Sequence, residues 1–129
     1  MGLRIKIDFQ DFSSFAELLD TPTAEAVRDQ IPFSSQVNRW GEEIYFCTPI
    51  DQELEGRALE VVEKGDVGYW PPGKAIAIFF GPTPSSIGQE CRAVSPVNIF
   101  ARICGDLSLL LSVPAGSRVM VSLEKEDNA

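Results

Sequence analysis

The side chains able to act on a ligand are few: Arg39, the Tyr69-Trp70 pair ahead of two prolines, Phe79, Gln89 and scattered carboxylates. Arg39 stands in an Arg-Trp-Gly-Glu turn. There a guanidinium can bind a carboxylate or a peptide carbonyl, or pair with a nearby acid such as Glu42. Tyr69 and Trp70 offer either a binding wall or barrel core leading into a rigid Pro71-Pro72-Gly73 turn. Phe79 and Phe80 point to opposite faces of one strand, so one is core and the other lines a groove or packs against a helix. Glu42, Glu43, Asp51, Glu53 and Glu55 read as solvated faces, since no glycine-hinged calcium loop surrounds them. The 81–86 run, Gly-Pro-Thr-Pro-Ser-Ser, could offer backbone N–H groups to an anion, but its two prolines remove two donors. No phosphate site is expected there.

Other chemistries are removed outright. The chain has no histidine, so neither a Ser-His-Asp nor a Cys-His nucleophile pair can be built. A His-rich zinc site is excluded as well. Cys47, Cys91 and Cys104 are an odd number without CxxC spacing. They read as reduced thiols, which suits the cytoplasm. No metal and no cofactor is expected.

The formal net charge is −8, from 11 basic and 19 acidic residues. A chain this acidic, with no basic run, has no general attraction for nucleic acid or anionic lipid. No apolar run approaches the ~20 residues of a membrane span. The N-terminus enters an alternating pattern at once, unlike a secretory leader. Lys6 stands where myristoylation prefers Ser or Thr. The 129 residues are the size of one domain, and hydrophobic residues at 44% with charged residues at 23% suit a soluble globular protein. The expected domain is 1–123, with 124–129 a charged tail.

The elements that must position these side chains are short. Leu3, Ile5, Ile7 and Phe9 alternate with polar residues as a one-face strand. Thr21 suits a helix N-cap and Pro22 the first helical position. Ala24, Val27 and Ile31 share one helical face, and Pro32 ends the helix. Strands are expected at 33–38, 44–47, 58–62, 67–70, 75–80, 97–103 and 119–123. Residues 49–57 and 81–96 read as loops, and 106–111 as a short helical segment. About eight strands with turn signals every 8–12 residues predict an antiparallel sandwich or barrel.

Three segments, taken together, resemble the cyclophilins. The 15–28 segment is similar to a cyclophilin strand and first helix. The 72–89 segment is similar to a cyclophilin loop-strand-loop, with Pro72, Gly73, Gly81, Pro82 and Gln89 at matching positions. The 97–106 segment is similar to a later strand. Runs at 21–25, 38–41, 66–73 and 79–84 further resemble a family of small prokaryotic cyclophilin-like proteins. That resemblance implies a mostly β, cyclophilin-like antiparallel barrel with one main helix, and no established activity. Prolyl isomerases place their arginine in a Phe-His-Arg context, where this chain has Val37-Asn38-Arg39. Their Ala-Asn stands here as Ile78-Phe79, and their pocket Phe as Glu90 or Cys91. Their late Trp and His have no counterpart in 92–96. Arg39 is therefore only a weak catalytic candidate. The expectation is a non-catalytic module binding an unknown peptide or small molecule in a groove between the 79–90 segment and the 38–42 turn. Its groove is assigned to Arg39, Trp70, Phe79 and Gln89, and a homo-oligomer is possible. The alternatives are a divergent, weak prolyl isomerase and a subunit of a larger enzyme assembly.

Overall fold

A computed structural model of the chain describes residues 3–124. The first strand, β1 (Arg4–Phe9), buries Ile5, Ile7 and Phe9 and leaves Lys6 and Asp8 half-exposed. It pairs antiparallel with β2 (Ser13–Leu18) on one side and β10 (Arg118–Leu123) on the other. The inward residues of β2 are Ser14 and Ala16. Such small side chains mute the hydrophobic alternation, so this strand was legible only through the resemblance of 15–28.

The helix α1 (Pro22–Gln30) begins as the sequence predicts. Thr21 Oγ1 accepts from the Ala24 N–H at 3.0 Å, and Pro22 occupies the first turn. Its Ala24 and Val27 enter the main core. It ends at Ile31, which turns extended ahead of Pro32 because a following proline disfavours helical backbone.

The remaining strands are β3 (Phe33–Gln36), β4 (Asn38–Arg39), β5 (Glu43–Cys47), β6 (Leu59–Val62), β7 (Asp66–Trp70), β8 (Ala75–Phe79) and β9 (Cys91–Cys104). Short 3-10 turns occupy Pro71–Gly73 and Ser108–Ser112. The strands form one antiparallel path, β3-β10-β1-β2-β9-β7-β8-β5-β4, with β6 on the flank of β9. The two ends of that path, β3 and β4, are separated in the chain by Val37 alone. Val37 donates to Ser117 O at 2.8 Å, and the Gly116 N–H donates back to Val37 O at 2.7 Å. The sheet thus wraps into a barrel joined by chain continuity rather than by a ladder between its first and last strands.

One expectation about loops is corrected. Strand β9 begins at Cys91, inside the segment read as a loop. Ser95 and Pro96 fall within this strand. They lie where the β6–β9 register breaks, since Val61 pairs Arg92 while Leu59 pairs Val97. An irregularity of this kind accommodates a proline that a regular central ladder would reject.

The acidic 51–57 loop is also more than a solvated face. The Glu55 carboxylate accepts from the Thr23 N–H at 3.1 Å and from the Thr23 hydroxyl. Buried Asn98 donates to Thr23 Oγ1 at 3.1 Å and to Glu53 O at 2.9 Å, and accepts from the Glu55 N–H at 2.8 Å. This network fastens the loop to α1 and β9. At the C-terminal end, the Glu124 N–H still donates to Arg4 O. The remainder of the expected tail and the Met1-Gly2 start lie outside the described residues. Among the described residues, no helix is long and apolar enough to cross a membrane.

Candidate functional site

Strands β5 and β8 separate two apolar clusters. Ile44, Phe46, Ile76, Ile78 and Phe80 point into the barrel core. The opposite face carries Glu43 and Tyr45 from β5, and Ala75, Ala77 and Phe79 from β8. Period-2 side-chain alternation dictates this division. The cross-strand register sets Glu43 opposite Phe79, Tyr45 opposite Ala77, and Trp70 of β7 opposite Ala75.

On this outer face lies a cavity of about 210 Å³. Trp40, Tyr45 and Trp70 bring aromatic surface to it, and Glu43 brings a carboxyl. The rest of its lining is Ala75, Ala77, Ala93, Val94 and Val97. The alanines create the space: at each, a larger side chain would extend toward the cavity.

Glu43 is the unusual member. It is 7% exposed, its Oε1 is shut off from solvent, and no hydrogen-bond partner reaches that oxygen. Burial pushes its pKa up to about 8, because a charged carboxylate loses hydration that nothing here replaces. The group is protonated at neutral pH. Glu43 is thus enclosed, where its acidic sequence context predicts a solvated carboxylate. The correction has a simple cause: β5 starts at Glu43, so its side chain shares a face with Tyr45 rather than with solvent. That signal was available in the Glu-Ile-Tyr-Phe alternation, next to a turn tryptophan.

Trp70 is held from two sides. Its Nε1 donates to Ser95 Oγ at 2.6 Å. A Cβ added at Gly73 would stand 2.6 Å from the indole Cζ3, so only glycine lets the 3-10 turn close on the ring. The Pro-Pro-Gly sequence is therefore a seat for the tryptophan.

The other residues assigned to the groove from sequence go elsewhere. Phe79 is fully buried in the second cluster with Val62, Cys91 and Val97, and does not line the cavity. It shares the outer face of β8 with Ala77 but is covered by β6 and β9. Arg39 donates from Nη1 to Leu111 O at 3.2 Å and to Val113 O at 2.8 Å, and its guanidinium lies 5.4 Å from the Phe80 ring centre. It clamps the 3-10 turn at Ser108–Ser112 rather than pairing with Glu42. Gln89 is exposed, in a loop fastened by its neighbour. The Glu90 carboxylate accepts from Ile87 N, Gly88 N and Arg92 Nε. Those bonds, the Ile87 N–H foremost, hold its pKa down at about 2.

The groove expected between the 38–42 turn and the 79–90 segment is closed. The Glu42 N–H donates to Pro82 O at 2.9 Å and the Phe80 N–H to Glu42 O at 3.0 Å. Gly41, at φ +64°, is packed so tightly that a Cβ would meet Thr83 Cα and Pro84 Cδ at 2.9 Å. Of the residues assigned from sequence, only Trp70 lines the cavity. Trp40, Glu43 and Tyr45 were not assigned to a site at all.

Comparison with known proteins agrees with this architecture. Residues 3–122 match the family described as cyclophilin-like. The chain belongs to the cyclophilin-like family. This cyclophilin-like protein is also similar to a hypothetical protein from Archaeoglobus fulgidus whose solution structure is known. The two are 42% identical, the match covers 94% of each chain, and the TM-score is 0.81. No curated protein matches the chain. Neither comparison names an activity for a cyclophilin-like protein of this kind.

Proposed function

We propose that this cyclophilin-like protein is a non-catalytic binding module that takes a small molecule, or one side chain of a peptide, in the cavity beside Trp70. The observation that carries the reading is the buried, unpartnered Oε1 of Glu43 at an otherwise apolar cavity. Buried polar atoms are nearly always hydrogen-bonded, and an exception calls for a missing partner. Because Glu43 lines the cavity, a small rotation of its carboxyl would let a ligand donor or cation supply it. The volume sits below the ~300–1,000 Å³ of drug-sized pockets, which suits a small group better than an extended chain.

The prolyl isomerase alternative draws little support from Arg39, because its Nη1 is held by the Leu111 and Val113 carbonyls and its buried Nε, though unpartnered, lies outside the cavity lining. Glu43 and Tyr45 are the titratable side chains in the cavity lining, and no lysine, arginine or cysteine joins them there.

The test is an NMR titration of the protein with a library of small fragments and short peptides, repeated on Ala77→Leu. Saturable hits that shift resonances of Glu43, Tyr45 and Trp70, and that weaken at least tenfold in the variant, are expected. A protease-coupled proline-peptide assay should show isomerisation no faster than the uncatalysed rate. Hits that map away from the cavity, or that survive the Ala77→Leu filling, would defeat the reading.

A further inference from the structure

Resting on that reading, the inference concerns what the cavity selects. We propose that its ligand carries a small organic cation, an alkylammonium or methylated ammonium head, held by Glu43 and the faces of Trp40, Tyr45 and Trp70.

The lining decides the sign of the charge. It holds one carboxyl, three aromatic rings and only alanine and valine besides. No lysine or arginine lines it. An anion would therefore meet a carboxyl and the negative faces of the rings. The Trp70 N–H is already engaged by Ser95 and is not free to donate to an anion. A cation meets the opposite conditions. Aromatic faces attract it through their quadrupoles, most strongly for tryptophan and where water is excluded. The Glu43 carboxyl, part of the lining, gives it a counter-ion when ionised.

Charged groups elsewhere do not compete for Glu43. On β5, Tyr45 is the other titratable side chain at the cavity, and β8 carries none between Ala75 and Phe79. From β4, Arg39 is held by carbonyls, while Glu42 lies against Gly81. On β7, Asp66 pairs with Arg102. On β9, Arg92 is held by Glu60 and Glu90, and Cys91 is buried in the second cluster. Exposed Lys74, after the tryptophan turn, lies near Asp51.

A proton balance follows. Free Glu43 is protonated below about pH 8, and a cation binds its carboxylate. Each permanent cation bound below that pH therefore releases one proton. Affinity should rise about tenfold per pH unit toward pH 8 and then level off, since one pKa unit corresponds to a tenfold change in the ionised fraction.

Choline and its neutral isostere 3,3-dimethylbutan-1-ol separate charge from shape in the unmodified protein. Isothermal titration calorimetry with each probe, at pH values of about 6, 7 and 9, in buffers of different ionisation heat, reads affinity and protons together. The expected result is choline binding at least tenfold tighter than the alcohol, with about one proton released at pH 6 and none at pH 9. Glu43→Gln should weaken choline binding at least tenfold and abolish its pH dependence. If the alcohol binds as well as choline, with both lost in Ala77→Leu, the cation inference falls and the cavity reading stands. If neither probe binds saturably, the inference falls too, and the fragment titration alone decides the cavity reading.

Discussion

The two faces of β5 and β8 make opposite use of the same strands. Inward, Ile44, Phe46, Ile76, Ile78 and Phe80 are branched or aromatic and fill the barrel. Outward, Ala75 and Ala77 leave room beside Tyr45, Trp70 and Glu43. Large residues interdigitate into a close-packed core, and small ones facing an aromatic rim leave a vacancy that a ligand can use. Phe79 marks the border between the two regimes. It lies on the outer face, yet β6 and β9 cover it as completely as any core residue.

Phe79→Ala is the largest expected way to break this contrast. A fully buried phenylalanine replaced by alanine costs about 3–5 kcal/mol. The loss would be read from chemical denaturation, with Trp70→Ala alongside. Half-exposed Trp70 should cost clearly less stability while removing one wall of the cavity. If Phe79→Ala costs no more than Trp70→Ala, the second cluster is not the packed body described here.

A smaller and pH-dependent effect belongs to Glu43. Its pKa is about 8 in the fold, against an ordinary value of 4.5. Between those values the folded chain holds a proton that the unfolded chain has lost, so stability falls as pH rises. The contribution is most favourable below about pH 4.5, declines by at most about 1.4 kcal/mol per pH unit, and levels off above pH 8. Glu43→Gln should flatten the slope and leave the protein more stable than the parent at about pH 9. Urea midpoints across this range check it. Glu90 works in the other direction, since its pKa is depressed to about 2. Its contribution is present above the ordinary carboxylate pKa and is lost as pH falls toward 2, outside the window in which Glu43 acts. An unchanged slope in Glu43→Gln would mean that the carboxyl is hydrated rather than enclosed.

The smallest effect sharpens the comparison from outside. Gln89→Ala, in the exposed loop, should change stability by less than about 0.5 kcal/mol and leave every titration of the cavity unaltered. A large loss of ligand binding there would move the site to the 81–90 loop and restore the role first assigned to Gln89.

Local chemistry in the sequence determined most of the fold. The alternation of Ile5, Ile7 and Phe9, the Thr21-Pro22 helix start, the Pro32 stop and the Gly41 turn each act over a few residues, and each stands where it was expected. The acidic composition, the absence of histidine and the family likeness were equally legible. Tertiary structure alone decided the site. Strand alternation says that Glu43 and Tyr45 share a face, but not that Trp40, Trp70 and β9 come to cover it. It divides Phe79 from Phe80 without saying which faces the barrel, or that both are buried. Arg39 had the right chemistry for a ligand and was drawn instead to the carbonyls of Leu111 and Val113, more than 70 residues away in the chain. Burial, and with it the protonation of Glu43, depends on what strands distant in sequence place over a side chain, and no short window of residues contains that information.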